Sequence, residues 1–318
     1  MDHHGNTTTK ELCRNAYMHR EGISEEQKQF LLTYAFIVNC IANLISNCLV
    51  ITILFVSKQV RIPSMRLILY LSMSDLCISL VTPLFEALLL TKYHYTRICG
   101  IETLAQFFTA FFGHLSAFLT VLIGFDRYAR VKLMTMYKTK VTMNHANLFS
   151  LLALFLATFN ALMFTLGTVM DFFDIGVLVA LIVDVFIVIG LMSSYILAAL
   201  KIKRYRKDAN NKHILELVDN TVSRLAKLVL LSIGLFDTIY IILHALYHIA
   251  YPYASDKWRS WLEFGFYLSV LIAHTNSVVN AVIFVSVNKR ARKAFIRNWK
   301  GNTILNPVTV HPTSESRS

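Results

Sequence analysis

The sequence predicts an all-α membrane protein, a seven-transmembrane helix bundle with a short amphipathic eighth helix. Three observations carry that prediction. Seven apolar runs of membrane length are separated by short polar connections. Of 318 residues, 55% are hydrophobic and 16% charged, whereas a soluble domain carries about a quarter charged residues, so the surplus apolar surface needs lipid to face. Lys and Arg gather in alternate connections, as they do in multi-span proteins.

The runs lie at 31–56, 66–90, 101–130, 145–168, 175–202, 222–250 and 260–286. At about 1.5 Å per residue each crosses a bilayer, some with tilt to spare. The chain starts polar, and its first apolar run, from near Phe30, is too long for the core of a cleavable signal peptide. That run is expected to serve as an uncleaved signal. The expected divisions are an extracellular tail (1–30), the bundle (31–286), an amphipathic cytoplasmic helix (287–299) and a cytoplasmic tail (300–318).

With the N-terminus outside, segments 57–66, 126–144, 201–227 and 287–318 are cytoplasmic and hold 23 of the 31 Lys and Arg residues. This bias predicts an N-out, C-in topology. It also accounts for the net charge of +12 without nucleic acid, because the cations face the anionic lipids of the inner leaflet. Asn6-Thr7-Thr8 is a glycosylation sequon on the predicted outer side. After the last span, Ala291, Ala294, Phe295 and Trp299 share one helical face among basic neighbours, which predicts a helix lying on the inner leaflet.

Of the five cysteines, Cys40, Cys48 and Cys77 fall in apolar runs, where a thiol acts as a small hydrophobe. No C-x-x-C pair supports a zinc ribbon or thioredoxin-like chemistry.

Polar groups inside the spans point to function, since lipid tolerates them poorly. Asp75 sits mid-span in the second run, Asn47 in the first, and Ser116 in the third. His274, Asn276, Ser277 and Asn280 occupy the seventh, the last three along one side. Interhelical hydrogen bonding is the plain reading, and Asn47 is assigned that role. Asp75, a lone carboxylate among hydroxyls and amides, also suits a small hard cation such as sodium. At the inner end of the third run stands Phe125-Asp126-Arg127-Tyr128, whose adjacent acid and base can pair and hold the helix end in one state. An Arg snorkelling beside its counterion would look the same.

These residues together resemble the rhodopsin-like G-protein-coupled receptors, and the resemblance runs from about Asn47 to Phe295. Asn47 with Val50, Leu71 with Asp75, and Asp126-Arg127-Tyr128 match motifs of the first three helices. Tyr137 fits a recurrent loop tyrosine, and Tyr195 fits the fifth-helix tyrosine that meets the third-helix arginine on activation. The seventh-helix signature reads Asn276-Ser277-Val278-Val279-Asn280-Ala281-Val282-Ile283-Phe284, with Ala281 and Phe284 in place of its proline and tyrosine. Phe295 fits the aromatic that anchors an eighth helix. Ile239, Tyr240, Ile241 and Ile242 stand where the sixth helix usually carries a Cys-Trp-x-Pro bend. The fourth helix lacks its usual tryptophan and the fifth its proline. Missing prolines remove the commonest cause of sharp kinks. A divergent, invertebrate, peptide-type member is expected.

The resemblance implies a multi-pass plasma-membrane receptor, not an enzyme, that binds an extracellular ligand and activates a heterotrimeric G protein. Asp126, Arg127, Tyr128, Tyr137, Tyr195, Asn280 and Phe284 would serve coupling. Asp75, Ser116, Asn276, Ser277 and Asn280 match the family's sodium pocket, so an allosteric sodium ion is the one cofactor implied. Family members tie the head of the third helix by a disulfide, and the pair implied here is Cys13–Cys99, with two free thiols as the alternative. The ligand pocket implied by position comprises Glu86, Gln106, Thr109, Asp184, Tyr240, His244, Tyr247, Glu263 and Tyr267, with His248 alongside. Thr109 stands where amine receptors carry an aspartate, which disfavours a biogenic amine. Retinal attachment would want a lysine inside the seventh span, which has none. Asp171, Asp174, Asp184, Glu86 and Glu263 leave the outer face acidic, suiting a cationic peptide. The expected ligand is therefore a neuropeptide; the alternative is chemosensory reception of a small molecule. A seven-helix transporter or channel would favour inverted repeats and broken helices, and neither is visible. An intramembrane enzyme would need a convergent catalytic set, and His114, Asp184, Asp237 and His274 form no recognised spacing.

Overall fold

The computed structural model describes residues 26–90, 99–169, 173–207 and 238–299. Eight principal helices follow in order: α1 (Glu26–Val56), α2 (Pro63–Leu90), α3 (Cys99–Leu133), α4 (Met143–Val169), α5 (Phe173–Lys207), α6 (Thr238–Ala250), α7 (Asp256–Val287) and α8 (Lys289–Trp299). Among the described residues α1 to α5 and α7 are long and apolar enough to cross a membrane, and α6 is a shorter apolar helix. The structure is thus the all-helical bundle the sequence predicts. Asn6, Cys13, Asp171, Asp237 and segment 208–237 lie outside the described residues, as do the side chains of Glu86, Cys99 and Asp174.

The bundle is polar within and apolar without. Along α1 the buried positions are Phe36, Asn43, Asn47, Val50 and Leu54, at helical spacing, while Tyr34, Ile37, Ile41, Ile45 and Phe55 are exposed. Lipid accepts the exposed apolar groups at no cost, but it cannot hydrogen-bond an amide, so the asparagines turn inward. Asn39 Nδ2 donates to Thr275 Oγ1 at 2.8 Å and to the Leu271 carbonyl at 3.1 Å, tying α1 to α7. Asn47 departs from its expected interhelical role. Its amide donates within α1, to the side chain and carbonyl of Asn43. One turn back along a helix is the nearest reachable acceptor.

α3 is the hub. It packs against α2, α4 and α5, while α1 packs on α2 and α7 and α8 returns to α1. Ser74 Oγ donates to the Phe112 carbonyl at 3.0 Å, joining α2 to α3. Tyr70 Oη donates to Asn147 Oδ1 at 3.2 Å, joining α2 to α4. α4 turns small residues inward, with Ala146, Ala153, Ala157 and Ala161 buried, and leaves Leu148, Phe155, Phe159 and Leu166 exposed. Small residues on an inner face let helix backbones approach closely.

α2 begins at Pro63, where a missing N–H is harmless and the fixed φ suits the first turn. Its entry turn has Lys58 in the left-handed region at φ 53°. Asn288, between α7 and α8, donates to Gln59 Oε1 at 2.9 Å and fastens the eighth helix beside that turn. α7 runs unbroken through Ala281, which is buried beside Phe284 in the core that includes Val50, Leu54, Leu67 and Leu119. Alanine at that position retains the N–H that proline would lack.

Ala157 is fully buried. Ala157→Leu inserts a branched side chain where α4 meets the bundle and should lower stability by about 1–3 kcal/mol. Leu152→Ala, on the exposed face, should change it by under about 0.5 kcal/mol. Thermal denaturation of the detergent-solubilised protein measures both.

Candidate functional site

Two groups of side chains lie at opposite ends of α3. Near its middle is a cavity of about 220 Å³ between α3, α5, α6 and α7, lined by Thr109, His114, Asp184, His244, Phe266 and others. Gln106, Thr109, Asp184, Tyr240 and His244, all expected in the pocket, line it. Tyr247, Glu263 and Tyr267 do not. Tyr247 and Tyr267 pack with Phe36 and Phe266 where α1, α6 and α7 meet. Glu263 is buried and accepts a hydrogen bond from Tyr251 Oη at 2.8 Å. The face of α7 that carries Glu263 and Tyr267 turns toward packing neighbours, which spacing along one helix cannot reveal. The His244 and His248 rings lie 4.6 Å apart, tilted by 60°, and the His244 ring lies 5.2 Å from that of Phe266.

One polar contact in the cavity has no counterpart in any motif. His114 of α3 and Asp184 of α5 form an ion pair, with Nε2 and Oδ1 3.4 Å apart. A separation of 70 positions in the chain hides this pair from any motif search, although each residue is polar mid-span and so flagged singly.

The floor of the cavity is polar. Ser116, Asn276, Ser277 and Asn280 line it. Ser116 Oγ donates to Asp75 Oδ1 at 2.6 Å, and Ser277 stands beside the same carboxylate. Asp75 is completely buried, and its Oδ2 has no hydrogen-bond partner among the described residues. No Lys or Arg pairs with it there. A buried carboxylate with an orphan oxygen, surrounded by hydroxyl and amide oxygens, has the donor set of a hard cation site.

The second group lies at the basic end. Asp126 does not pair with Arg127, its neighbour in sequence. Its ion pair is with Arg130, Nε to Oδ2 at 3.6 Å. Adjacent helical residues point about 100° apart, whereas residues four apart share a face. Tyr137, on the helical turn Tyr137–Lys140, donates its hydroxyl to Asp126. Burial and the nearby Asp126 carboxylate push the Tyr137 phenol above its ordinary value, so it remains a proton donor. Arg130 also donates to Ser64 at the start of α2 and lies 4.9 Å over the Tyr137 ring. The Arg127 guanidinium lies among Arg130, Asp126, Tyr195 and Tyr137, and its buried Nε has no hydrogen-bond partner among the described residues. Tyr128 stacks under the Lys132 ammonium at 5.8 Å.

Gly124 sets the distance between α3 and α5. A Cβ there would collide with Ser194 Oγ and touch the Tyr195 ring at 3.3 Å. Tyr195 is 2% exposed and packs with Leu191 of α5 and Ile283 of α7.

Residues 46–284 match the family described as 7 transmembrane receptor (rhodopsin family). The chain belongs to this family of G-protein-coupled receptors, which is not an enzyme family. Olfactory receptor 1496 of Rattus norvegicus is 29% identical over 171 residues, 53% of this chain and 55% of that protein. Olfactory receptor 1E16 of Mus musculus is 29% identical over 141 residues, 44% of this chain and 45% of that one. The chain thus spans about half the length of these curated relatives. The crystal structure of squid rhodopsin shares the fold with a TM-score of 0.68, covering 90% of this chain and 89% of that one at 17% identity.

Gly124→Ala should force α3 and α5 apart and lower stability by about 1–3 kcal/mol. Adding Ser194→Ala removes the colliding hydroxyl and should recover part of that loss. A thermal-denaturation cycle over the four variants measures the coupling; strict additivity would refute the contact.

Proposed function

We propose that the protein is a chemosensory receptor for a small organic molecule, signalling through a heterotrimeric G protein. The cavity carries this reading. At about 220 Å³ it lies below the roughly 300–1,000 Å³ of sites for drug-sized ligands, and its walls are mainly apolar. A cationic neuropeptide would need free anionic groups. Two of the acids that favour a cationic peptide are engaged, Asp184 by His114 and Glu263 by Tyr251. The two relatives described as olfactory receptors support the same choice.

In this reading the N-terminus is outside, the basic end is cytoplasmic, and the membrane is the plasma membrane. Ligand in the cavity favours one of two bundle arrangements, and it can shift the equilibrium only by its differential affinity for them. α3 connects the sites, because His114 and Arg127 lie roughly 20 Å apart along one helix. The G protein docks at Arg127 and Tyr195, beside the basic end of α5 from Lys201 to Lys207. Arg130 and Tyr137 hold Asp126, which frees Arg127 for that partner. Asn280 and Phe284 carry the change into α7.

Asp75, Ser116, Asn276, Ser277 and Asn280 would hold a sodium ion. The ion would supply the positive charge that the buried carboxylate lacks and would favour the arrangement in which α2, α3 and α7 converge.

Arg127→Ala, at equal surface expression, should abolish ligand-dependent activation in a panel of G-protein sensors challenged with volatile and water-soluble small molecules. A full response from that variant would contradict the coupling role. Sodium, titrated against choline, should raise the melting temperature of the purified wild type and leave Asp75→Asn unmoved. An equal rise in both would remove the ion from Asp75.

A further inference from the structure

The His114–Asp184 pair specifies the chemistry of the ligand, on the reading that the receptor takes a small molecule. His114 Nδ1 donates to the Ala110 carbonyl of its own helix at 2.7 Å. Nε2 faces Asp184 Oδ1 at 3.4 Å. One ring nitrogen meets a carbonyl and the other a carboxylate, so the protonated ring is the form in which both N–H groups find acceptors. The pair is then neutral as a whole. Both side chains line the cavity and are 13% and 14% exposed. Asp184 Oδ2 meets no donor among the described residues.

Each ligand class fares differently against this arrangement. A cation would have to share one carboxylate with an imidazolium already beside it. An anion would be repelled by the same carboxylate. In a cavity with mainly apolar walls both penalties are large. A ketone, aldehyde or ether offers acceptors only, and the one N–H that His114 turns to the cavity is directed at Asp184. A hydroxyl supplies the donor that Oδ2 lacks, and hydrogen bonds to a charged acceptor are the strong ones. The apolar side chains of the wall, including Ile187, Val188, Leu191, Phe266 and Val270, suit a hydrocarbon body.

We propose that the ligand is an uncharged, largely apolar alcohol or phenol whose hydroxyl donates to Asp184 Oδ2, with His114 acting as the positioning residue that holds the carboxylate across the cavity. The two polar residues thereby become the specificity determinant of the receptor and the point at which ligand bridges α3 and α5.

The test uses full-length receptor in cells with a G-protein sensor and medium-chain ligands matched in carbon skeleton: alcohol, ketone, primary amine and carboxylic acid. Alcohols should act at concentrations about tenfold or more below those of the ketones, with amines and acids silent. Asp184→Asn, compared at equal surface expression, should erase the alcohol preference, because a neutral amide both donates and accepts. Asp184→Glu should keep the wild-type order. Loss of a merely structural contact would weaken all ligands alike without reordering them. The wild-type order decides by itself if a variant does not reach the surface. An order led by ketone, amine or acid, or an Asp184→Asn receptor that still prefers alcohols about tenfold, overturns the proposal and leaves the small-molecule reading intact. Silence toward the whole panel with a response to a secreted-peptide library overturns both.

Discussion

Hydrocarbon cannot accept or donate a hydrogen bond, and the organisation of this bundle follows from that one constraint. Every amide, hydroxyl and carboxylate in the spans must find its partner inside the protein. Asn39 reaches Thr275 from α1 to α7, Ser74 reaches the backbone of α3, Ser116 reaches Asp75, and His114 reaches Asp184. The contacts converge on α3, which touches three other long helices. The outward faces contribute little to specificity, since lipid treats their Leu, Ile and Phe side chains alike. Position around each helix is therefore set from within, by polar groups and by small residues that admit a neighbour's backbone.

The same constraint makes unpaired polar atoms informative. Asp75 Oδ2 is buried without a partner, and beside it lies a cavity floor of hydroxyls and amides. Arg127 at the far end of α3 likewise keeps a buried Nε without a hydrogen bond, while Arg130 and Tyr137 contact Asp126. In each case the bundle stabilises one member of a polar group and leaves another available. Availability of that kind is what a receptor needs, since a ligand or transducer can alter an equilibrium only through groups not already satisfied in both states.

The missing prolines bear on how such a bundle moves. α7 passes through Ala281 without a break, and Ile239 to Ile242 lie in the continuous helix α6. Neither stretch carries a proline hinge. Close contacts govern such motion. At Gly124 the backbone of α3 meets Ser194 and Tyr195 with no room for a methyl group. Asp184 and Tyr195 lie on the same unbroken helix, α5.

By itself, the sequence determined the class of structure and much of its chemistry. Hydropathy and helical period are local properties, so the seven runs, the amphipathic eighth helix and the inward asparagines and serines could be read from residue order. Motif resemblance located Asp75 and the acid-Arg-Tyr triplet for the same reason. Which polar groups meet depended on helix rotation and crossing, to which residues dozens of positions apart contribute jointly. Adjacent Asp126 and Arg127 look like a pair on paper, but 100° of helical turn separates them and Arg130 takes the place. Glu263 and Tyr267 look like pocket residues, but the rotation of α7 carries them into packing contacts. Only the tertiary structure joined His114 to Asp184, because each stands out singly as a polar residue mid-span but the interaction exists only once α3 and α5 lie side by side.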